Sequence, residues 1–281
     1  MGIDAYFKFS DRMHYHGLMS LDDGSPDIDL SDTQGSKGTT PAFSAYWEQH
    51  FAHRQTLVVD FRASLFNGHS YSDYVERRAG LTEPLTDVHT YIRDRNQAYG
   101  LEVDYIKNWS RSRFTAGASY TANRNRSEYR NLGGEIFHQR QDKAYVFAEY
   151  FQRLGRFTAT AGVGAQYIDY LFRESGKGRH SWNVRPQATV TYSPNRNHNL
   201  RLSFTSWQSA PTLAQTNVAP QQLDGFQWQV GNPDLKTSNS YMLTLRYTFS
   251  LPRTYASFGI RAFTSPDAIA PYRYWDGDRL V

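Results

Sequence analysis

An all-β fold is what the sequence predicts: an antiparallel up-and-down meander of about twelve strands, belonging to a transmembrane barrel. Three observations predict it. Apolar residues recur with a period of two along most of the chain, and no segment sustains a helical stripe. Short polar connections alternate with long ones. Aromatic residues, 20 Tyr, 17 Phe and 6 Trp among 281 residues, gather near predicted strand ends instead of filling one oily core.

The strand candidates begin near residues 3, 41, 56, 98, 113, 142, 156, 182, 199, 238, 254 and 268. In the third, Leu57, Val59, Phe61, Ala63 and Leu65 alternate with Asp60, Arg62 and Ser64. Phe114, Ala116, Ala118 and Tyr120 do the same against Thr115, Gly117 and Ser119. The pattern returns in Phe157, Ala159, Ala161, Val163, Ala165 and Tyr167, and again in Val184, Pro186, Ala188, Val190 and Tyr192. Tyr241, Leu243, Leu245, Tyr247 and Phe249 repeat it against Met242, Thr244, Arg246 and Thr248. Such segments place apolar side chains on one face and polar ones on the other.

Between strands, the short links Ala52–Gln55, Asn108–Ser112, Leu154–Arg156, Pro194–His198 and Leu251–Arg253 alternate with long ones. The long ones are Leu21–Thr40, Asn67–Gln97, Asn123–Gln141, Arg173–Ser181 and Ser209–Thr237. A barrel of the bacterial outer membrane has this asymmetry, with short turns on the periplasmic side and longer loops outside. Five outward apolar residues span roughly 30 Å at ~3.4 Å per residue, and a tilt of ~40° brings this near the ~25 Å apolar band of such barrels. The polar face carries Asp60, Arg62, Glu102, Asp104, Arg185, Arg201 and Arg246. A dry sandwich core would charge several kcal/mol for each unpaired ion, whereas a wide, hydrated or protein-filled lumen keeps them solvated.

Composition excludes other classes. With no Cys there is no disulfide framework, Cys-ligated zinc or thiol nucleophile. No stretch approaches the ~18 apolar residues of a membrane helix. The opening MGIDAYFKFSDRMHYHGLMS lacks the basic, apolar and small-residue order of a signal peptide. A formal charge of +4 spread among acids leaves no footprint for nucleic acid.

From Leu200 onward the chain reads RLSFTSWQSAPTLAQTN, then a polar loop, then GNPDLKTSNSYMLTLRYTF. This stretch resembles the late-barrel hairpin of TonB-dependent outer-membrane receptors and the related outer-membrane β-barrel family. Gly231, Asn232, Pro233, Asp234 and Leu235 form the shared turn, and SPDAIAPYRYWDGDRLV looks like the strand pair that follows. The turn is structural, because Gly and Asn admit left-handed dihedrals, Pro fixes φ, and Leu235 anchors the returning strand. The resemblance implies that residues 1–281 are the barrel portion of a 22-stranded receptor, without signal peptide, plug domain or C-terminal closing strands. It further implies energised uptake of a metal chelate, glycan or peptide, driven by the TonB complex through the plug, in the outer membrane of a Gram-negative cell.

No catalytic, cofactor-binding or metal-ligating constellation stands out, and the resemblance implies no enzyme. Asn67, Gly68, His69 and Ser70 suit an extracellular turn better than a nucleophilic pair, since neighbours on a strand point oppositely. Asp22, Asp23, Asp27, Asp29 and Asp32 lack the Gly and distal Glu of a calcium loop. GSKGTT has the wrong spacing for a phosphate loop, and His14 with His16 supplies only two ligands. Loops rich in Arg and aromatics suit an anionic or glycan ligand, or the phosphates of lipopolysaccharide: Arg124, Arg126, Tyr129 and Arg130; Arg173, Lys177, Arg179 and His180; Phe226 and Trp228. Two other readings compete. One is a self-contained barrel acting as a porin or outer-membrane enzyme, the other a soluble carbohydrate-binding β-sandwich.

Overall fold

The period-two segments pair into one antiparallel sheet of eleven strands, seen in a computed structural model that describes residues 2–19, 27–130, 134–174, 176–216, 220–223, 226–277 and 279–281. In chain order these are β1 (Gly2–Met19), β2 (Ile28–Phe51), β3 (Gln55–Arg78), β4 (Pro84–Asn108), β5 (Ser112–Tyr129), β6 (Glu135–Leu154), β7 (Phe157–Phe172), β8 (Lys177–Asn195) and β9 (His198–Ser209). An irregular segment follows, with the four-residue helix α1 (Leu213–Thr216) and the two-residue strands β10 (Gln221–Gln222) and β11 (Trp228–Gln229). The sheet resumes with β12 (Ser238–Leu251) and β13 (Thr254–Thr264). Each strand of the sheet bonds to the next, so the meander is up-and-down.

Register fixes the two faces. Asp60 stands opposite Glu102, Glu102 opposite Ser119, Ser119 opposite Tyr145, Tyr145 opposite Gln166, and Gln166 opposite Asn183. Cross-strand partners share a face and neighbours in sequence do not. The neighbouring row on the other face runs Phe61, Leu101, Tyr120, Ala144, Tyr167 and Trp182. Every apolar stripe read from the sequence falls on this second face. Asp60, Arg62, Glu102, Asp104, Arg185, Arg201 and Arg246 all fall on the first. Trp182 is 71% exposed and Ile260 72%, so nothing among the described residues covers these apolar side chains, and acyl chains are the solvent that suits them.

Polar side chains on the other face bond to one another. Arg185 donates from Nη1 to Gln166 Oε1 (2.7 Å) and from Nε to the Ser206 carbonyl (3.2 Å), and its guanidinium lies 4.7 Å from the centre of the Tyr145 ring. Arg62 pairs with Asp60 at 2.6 Å, and Gln187 donates to Glu149 at 3.0 Å. These groups find partners inside the wall, which removes much of the cost of holding them there.

Two expectations need correction. The long links are mostly strand: β3 continues to Arg78, β4 starts at Pro84, β5 runs to Tyr129 and β8 begins at Lys177. Asn67–Ser70 therefore lies inside β3 and is no turn. Above the apolar band both faces are wet, so the strands persist by main-chain pairing without an apolar repeat to announce them. The strand expected near residue 268 is absent from the sheet. Pro266 and Pro271 remove two main-chain donors there, and only β14 (Trp275–Asp276) and β15 (Arg279–Leu280) pair, around Gly277 at φ 61°. Of the Asp-rich stretch, Asp22 and Asp23 lie outside the described residues, and Asp29 and Asp32 sit on opposite faces of β2.

Candidate functional site

The short turns mark one end of the sheet. At Gly155, φ is +62°, which lets β6 reverse into β7 through two residues, and His53 and Arg54 adopt φ values of 61° and 59° to reverse β2 into β3. The apolar stripes begin next to these turns. All the strand overshoot lies at the other end, which is the extracellular end by the loop-length asymmetry of outer-membrane barrels.

At that end the described residues between 210 and 237 fold back over the polar face. Ile168, Tyr170 and Phe172 of β7 form the buried cluster among the described residues, with Ala210 packed on it. The Tyr170 hydroxyl donates to the Leu235 carbonyl at 2.6 Å, and Gln139 Nε2 donates to the Pro211 carbonyl at 3.4 Å. The Gly231–Leu235 turn is closed locally. Asn232 Oδ1 accepts from Asp234 N (2.8 Å) and the Asn232 carbonyl accepts from Leu235 N (3.3 Å). Asp234 then ties the turn to β8 through Lys177 Nζ (3.0 Å) and Arg179 Nη2 (3.3 Å). The Lys177 ammonium, hydrogen-bonded to Asp234, and Arg179 beside it hold this carboxyl below its ordinary pKa.

The same segment reaches across the sheet. A cleft of about 770 Å³ is lined both by Gln221 and Gln222 and by the polar-face residues Gln34, Ser36, Ser70 and Thr90 of β2–β4. A connection leaving β9 meets strands near the start of the chain only if the sheet curves, with its polar face on the concave side. That face is the lumen wall.

Over the mouth of this wall a second cleft, about 590 Å³, opens between the folded-back segment and residues 269–274 with Leu280 and Val281. Trp228, Tyr272, Arg273, Tyr274, Gln215 and Asn232 line it. Arg279 lies 4.8 Å from the Trp228 ring centre, and Tyr272 stacks on Tyr274 at 5.9 Å. Main-chain bonds seal the floor: Leu280 N donates to the Phe226 carbonyl, and Tyr274 and Val281 exchange two bonds, each at 2.8 Å. The cleft offers rings and the Arg273 guanidinium together, a combination that suits an anionic ligand with flat surfaces.

The candidate residues separate into four places. Trp228 lines the mouth cleft, Phe226 adjoins it, and Arg179 braces the turn beside it. Arg126 and Arg130 lie on the outer face, 3.7 and 3.6 Å from Glu128. Tyr129 is 5% exposed on the lumen face and packs edge-on against Phe137 at 5.4 Å, so it serves packing. Arg173 occupies the β7–β8 turn, its amide donating to the His138 carbonyl. Tyr272, Arg273 and Tyr274 escaped the sequence reading because they sat inside an expected strand. Among the described residues no group of three His, Asp or Glu comes together as metal ligands. His14 instead bonds Thr33 Oγ1 at 2.6 Å.

An apolar outward face, a polar inner wall, short turns at one end and long projecting hairpins at the other define an outer-membrane β-barrel. Residues 50–274 match the outer membrane protein beta-barrel family, and the chain belongs to it. Its place is the Gram-negative outer membrane. No curated protein matches the chain. Among solved structures it is similar to the copper transporter OprC, with a TM-score of 0.54 and 9% identity over 93% of this chain and 53% of that one. The Serratia marcescens hemophore receptor HasR, a double mutant bound to its hemophore HasA and heme, gives 0.53 and 11% over 91% and 54%. The FrpB iron transporter of Neisseria meningitidis (F3-3 variant) gives 0.51 and 10% over 96% and 56%. The chain thus spans little more than half the length of each, and at such identity the likeness establishes the fold. The resemblance to TonB-dependent receptors holds at that level.

Proposed function

We propose that this chain is barrel wall from a receptor that captures a scarce nutrient at its outer mouth and admits it with energy from TonB, transmitted through a plug domain outside residues 1–281. The wall continues in further strands, to the ~22 of the plugged transporters, because the free edges of β1 and β13 each expose a row of unpaired main-chain groups that lipid does not satisfy. The mouth cleft between Trp228 and residues 269–274 carries the reading. Its rings and Arg273, with Arg279 against the Trp228 ring, favour an anionic, ring-bearing metal chelate over a neutral glycan or a peptide. The iron, copper and heme named for the similar structures agree with that preference. No covalent step is required of the wall.

The test is uptake by cells producing the whole protein, with and without an active TonB complex, of a ferric catecholate, heme, a maltooligosaccharide and a mixed peptide pool. The reading expects TonB-dependent accumulation of a chelate, lowered tenfold or more by Trp228→Ala with Arg273→Ala. TonB-independent leakage of small solutes of every kind would instead identify a porin.

A further inference from the structure

Pairing between β8 and β9 stops part-way up the apolar band. Tyr192 pairs with Leu200, Val190 with Leu202 and Ala188 with Phe204, and there the ladder ends, although β8 extends upward to Lys177 and β9 to Ser209. Every other seam of the sheet is paired, at the extracellular end, to within a residue of the end of its shorter strand. The upper half of β8 is thus bonded to β7 on one side and unpaired on the other.

The next partners in register are Gln187 with Thr205 and Pro186 with Ser206. Pro186 has no N–H to donate, and side chains take its place: Arg185 Nε donates to the Ser206 carbonyl at 3.2 Å, and Ser206 Oγ donates to the Pro186 carbonyl at 3.0 Å. A proline by itself does not open a seam. Beside Pro41 of β2 two pairs with β3 are missing, and pairing resumes at Thr39 with Asn67. Between β8 and β9 it does not resume, because beyond Ser209 the chain turns to the lumen side of β7, where Ala210 packs on Ile168, Tyr170 and Phe172 and the Pro211 carbonyl accepts from Gln139.

The open stretch lies at lipid depth. Pro186, Val184 and Trp182 continue the outward apolar stripe of β8, and the last two are exposed. Across the seam the outward positions of β9 change from Leu202 and Phe204 to Ser206 and Gln208. Gln208 Oε1 on β9 and Ser181 Oγ on β8 are buried without a hydrogen-bond partner among the described residues. Unpaired strand edges persist at membrane depth only where protein buries them or a polar cavity faces them. The seam therefore calls for a polar occupant in an apolar frame.

We propose that the β8–β9 seam is a side entrance to the lumen for a single-chain amphiphile dissolved in the outer leaflet. The polar head, an amide or similar group with both donors and acceptors, passes between Pro186 and Ser206 and satisfies the strand edges, Gln208 and Ser181. The alkyl tail stays in the lipid against Val184 and Trp182. The bonds of Arg185 and Ser206 close the entrance at rest. It is separate from the mouth cleft and does not depend on capture there.

The experiment places the whole protein in proteoliposomes with a hexadecanamide whose head carries a photoactivatable diazirine, and maps the adducts by peptide mass spectrometry. Residues 1–281 hold no Cys, so Asn183→Cys with Ser209→Cys, joined by bismaleimidoethane, blocks the seam. Ser203→Cys with Thr244→Cys, joined in the same way across the paired β9–β12 seam, is the control. The parent is expected to carry adducts on the lumen-face residues Gln166, Arg185 and Trp207. Blocking the seam should lower these at least fivefold against the same variant left unlinked, with Trp182 labelled as before, and the linked control should match the parent. A two-chain phosphatidylcholine bearing the same head should label Trp182 and not the lumen face. Lumen adducts that are missing from the parent, or equal with and without the block, overturn the proposal. Equal lumen labelling by the two-chain lipid also overturns it, in favour of a wall simply permeated by lipid. Heat-modifiable migration on gels reports that each variant is folded.

Discussion

The ring of Tyr145 lies across Gly164, filling the space where a side chain would stand on the neighbouring strand of the lumen wall. It is held there between the Phe147 ring, stacked at 5.6 Å, and the Arg185 guanidinium at 4.7 Å. An absent Cβ on β7 thus seats an aromatic of β6 and, through it, the cation that bonds β7 and β9.

Gly164→Leu should evict Tyr145 and weaken this packing. Overpacking at such a site costs about 1–3 kcal/mol. Urea unfolding of the refolded barrel should show a lower midpoint, and Tyr145→Ala in the same background should recover part of the loss. No change in midpoint would mean that the ring moves aside freely.

Face assignment predicts opposite outcomes at adjacent positions. Leu245 pairs with Leu202 on the lipid face and Thr244 pairs with Ser203 on the lumen face. Leu245→Arg should destabilise by about 2–4 kcal/mol, the cost of an arginine near the bilayer midplane. Thr244→Arg should cost less than a quarter of that. Equal costs in urea titrations would contradict the two-faced wall.

The Asp234 clamp depends on pH. Its carboxyl has a lowered pKa because it bonds Lys177 first and Arg179 second. A lowered carboxylate contributes stability that is fully present above its unfolded value near 3.9 and is lost as pH falls through the folded value. Proteolysis within residues 226–237 should therefore accelerate only in acid below that point. Asp234→Asn should show the fast rate already at pH 7.

His89 has the opposite sign. Near the tip of the β3–β4 hairpin its Nδ1 lies 2.8 Å from Asp73 and its Nε2 3.0 Å from Asp87. The hydrogen bond with Asp73, ahead of a small opposing effect of burial and the added field of Asp87, raises its pKa. The contribution is complete below about pH 6.5 and is lost as pH rises through the raised folded value. Amide-exchange protection of residues 73–89, corrected for intrinsic exchange, should fall across that rise. His89→Gln should flatten the profile.

The membrane-embedded part was legible because lipid on one side and water on the other force the period-two code onto every strand. Leu57–Leu65 and Tyr241–Phe249 were read with the correct faces. The overshooting halves were not, because residues such as Asn67–Arg78 are wet on both sides and carry no periodic mark. Their stability lies in pairing with residues 84–95, a relation invisible one segment at a time. Trp228 was picked out by its chemistry. Its partners in the cleft, Tyr272 and Arg273, come from a stretch whose prolines deny it a place in the sheet, and only folding brings them together. Tyr129 shows the converse, a residue that looked like a ligand contact and is packed inside.

The overshoot of β3 from Asn67 onward is twelve residues, Asn67–Arg78, so its hairpin with β4 stands roughly 30 Å above the lipid at a tilt of ~40°. A fence of that height screens visitors by size. Any bulky body meets the crests at residues 79–83 first, while a small solute slips between the pickets to the aperture. The recessed pocket is therefore sheltered from large visitors and open to small ones.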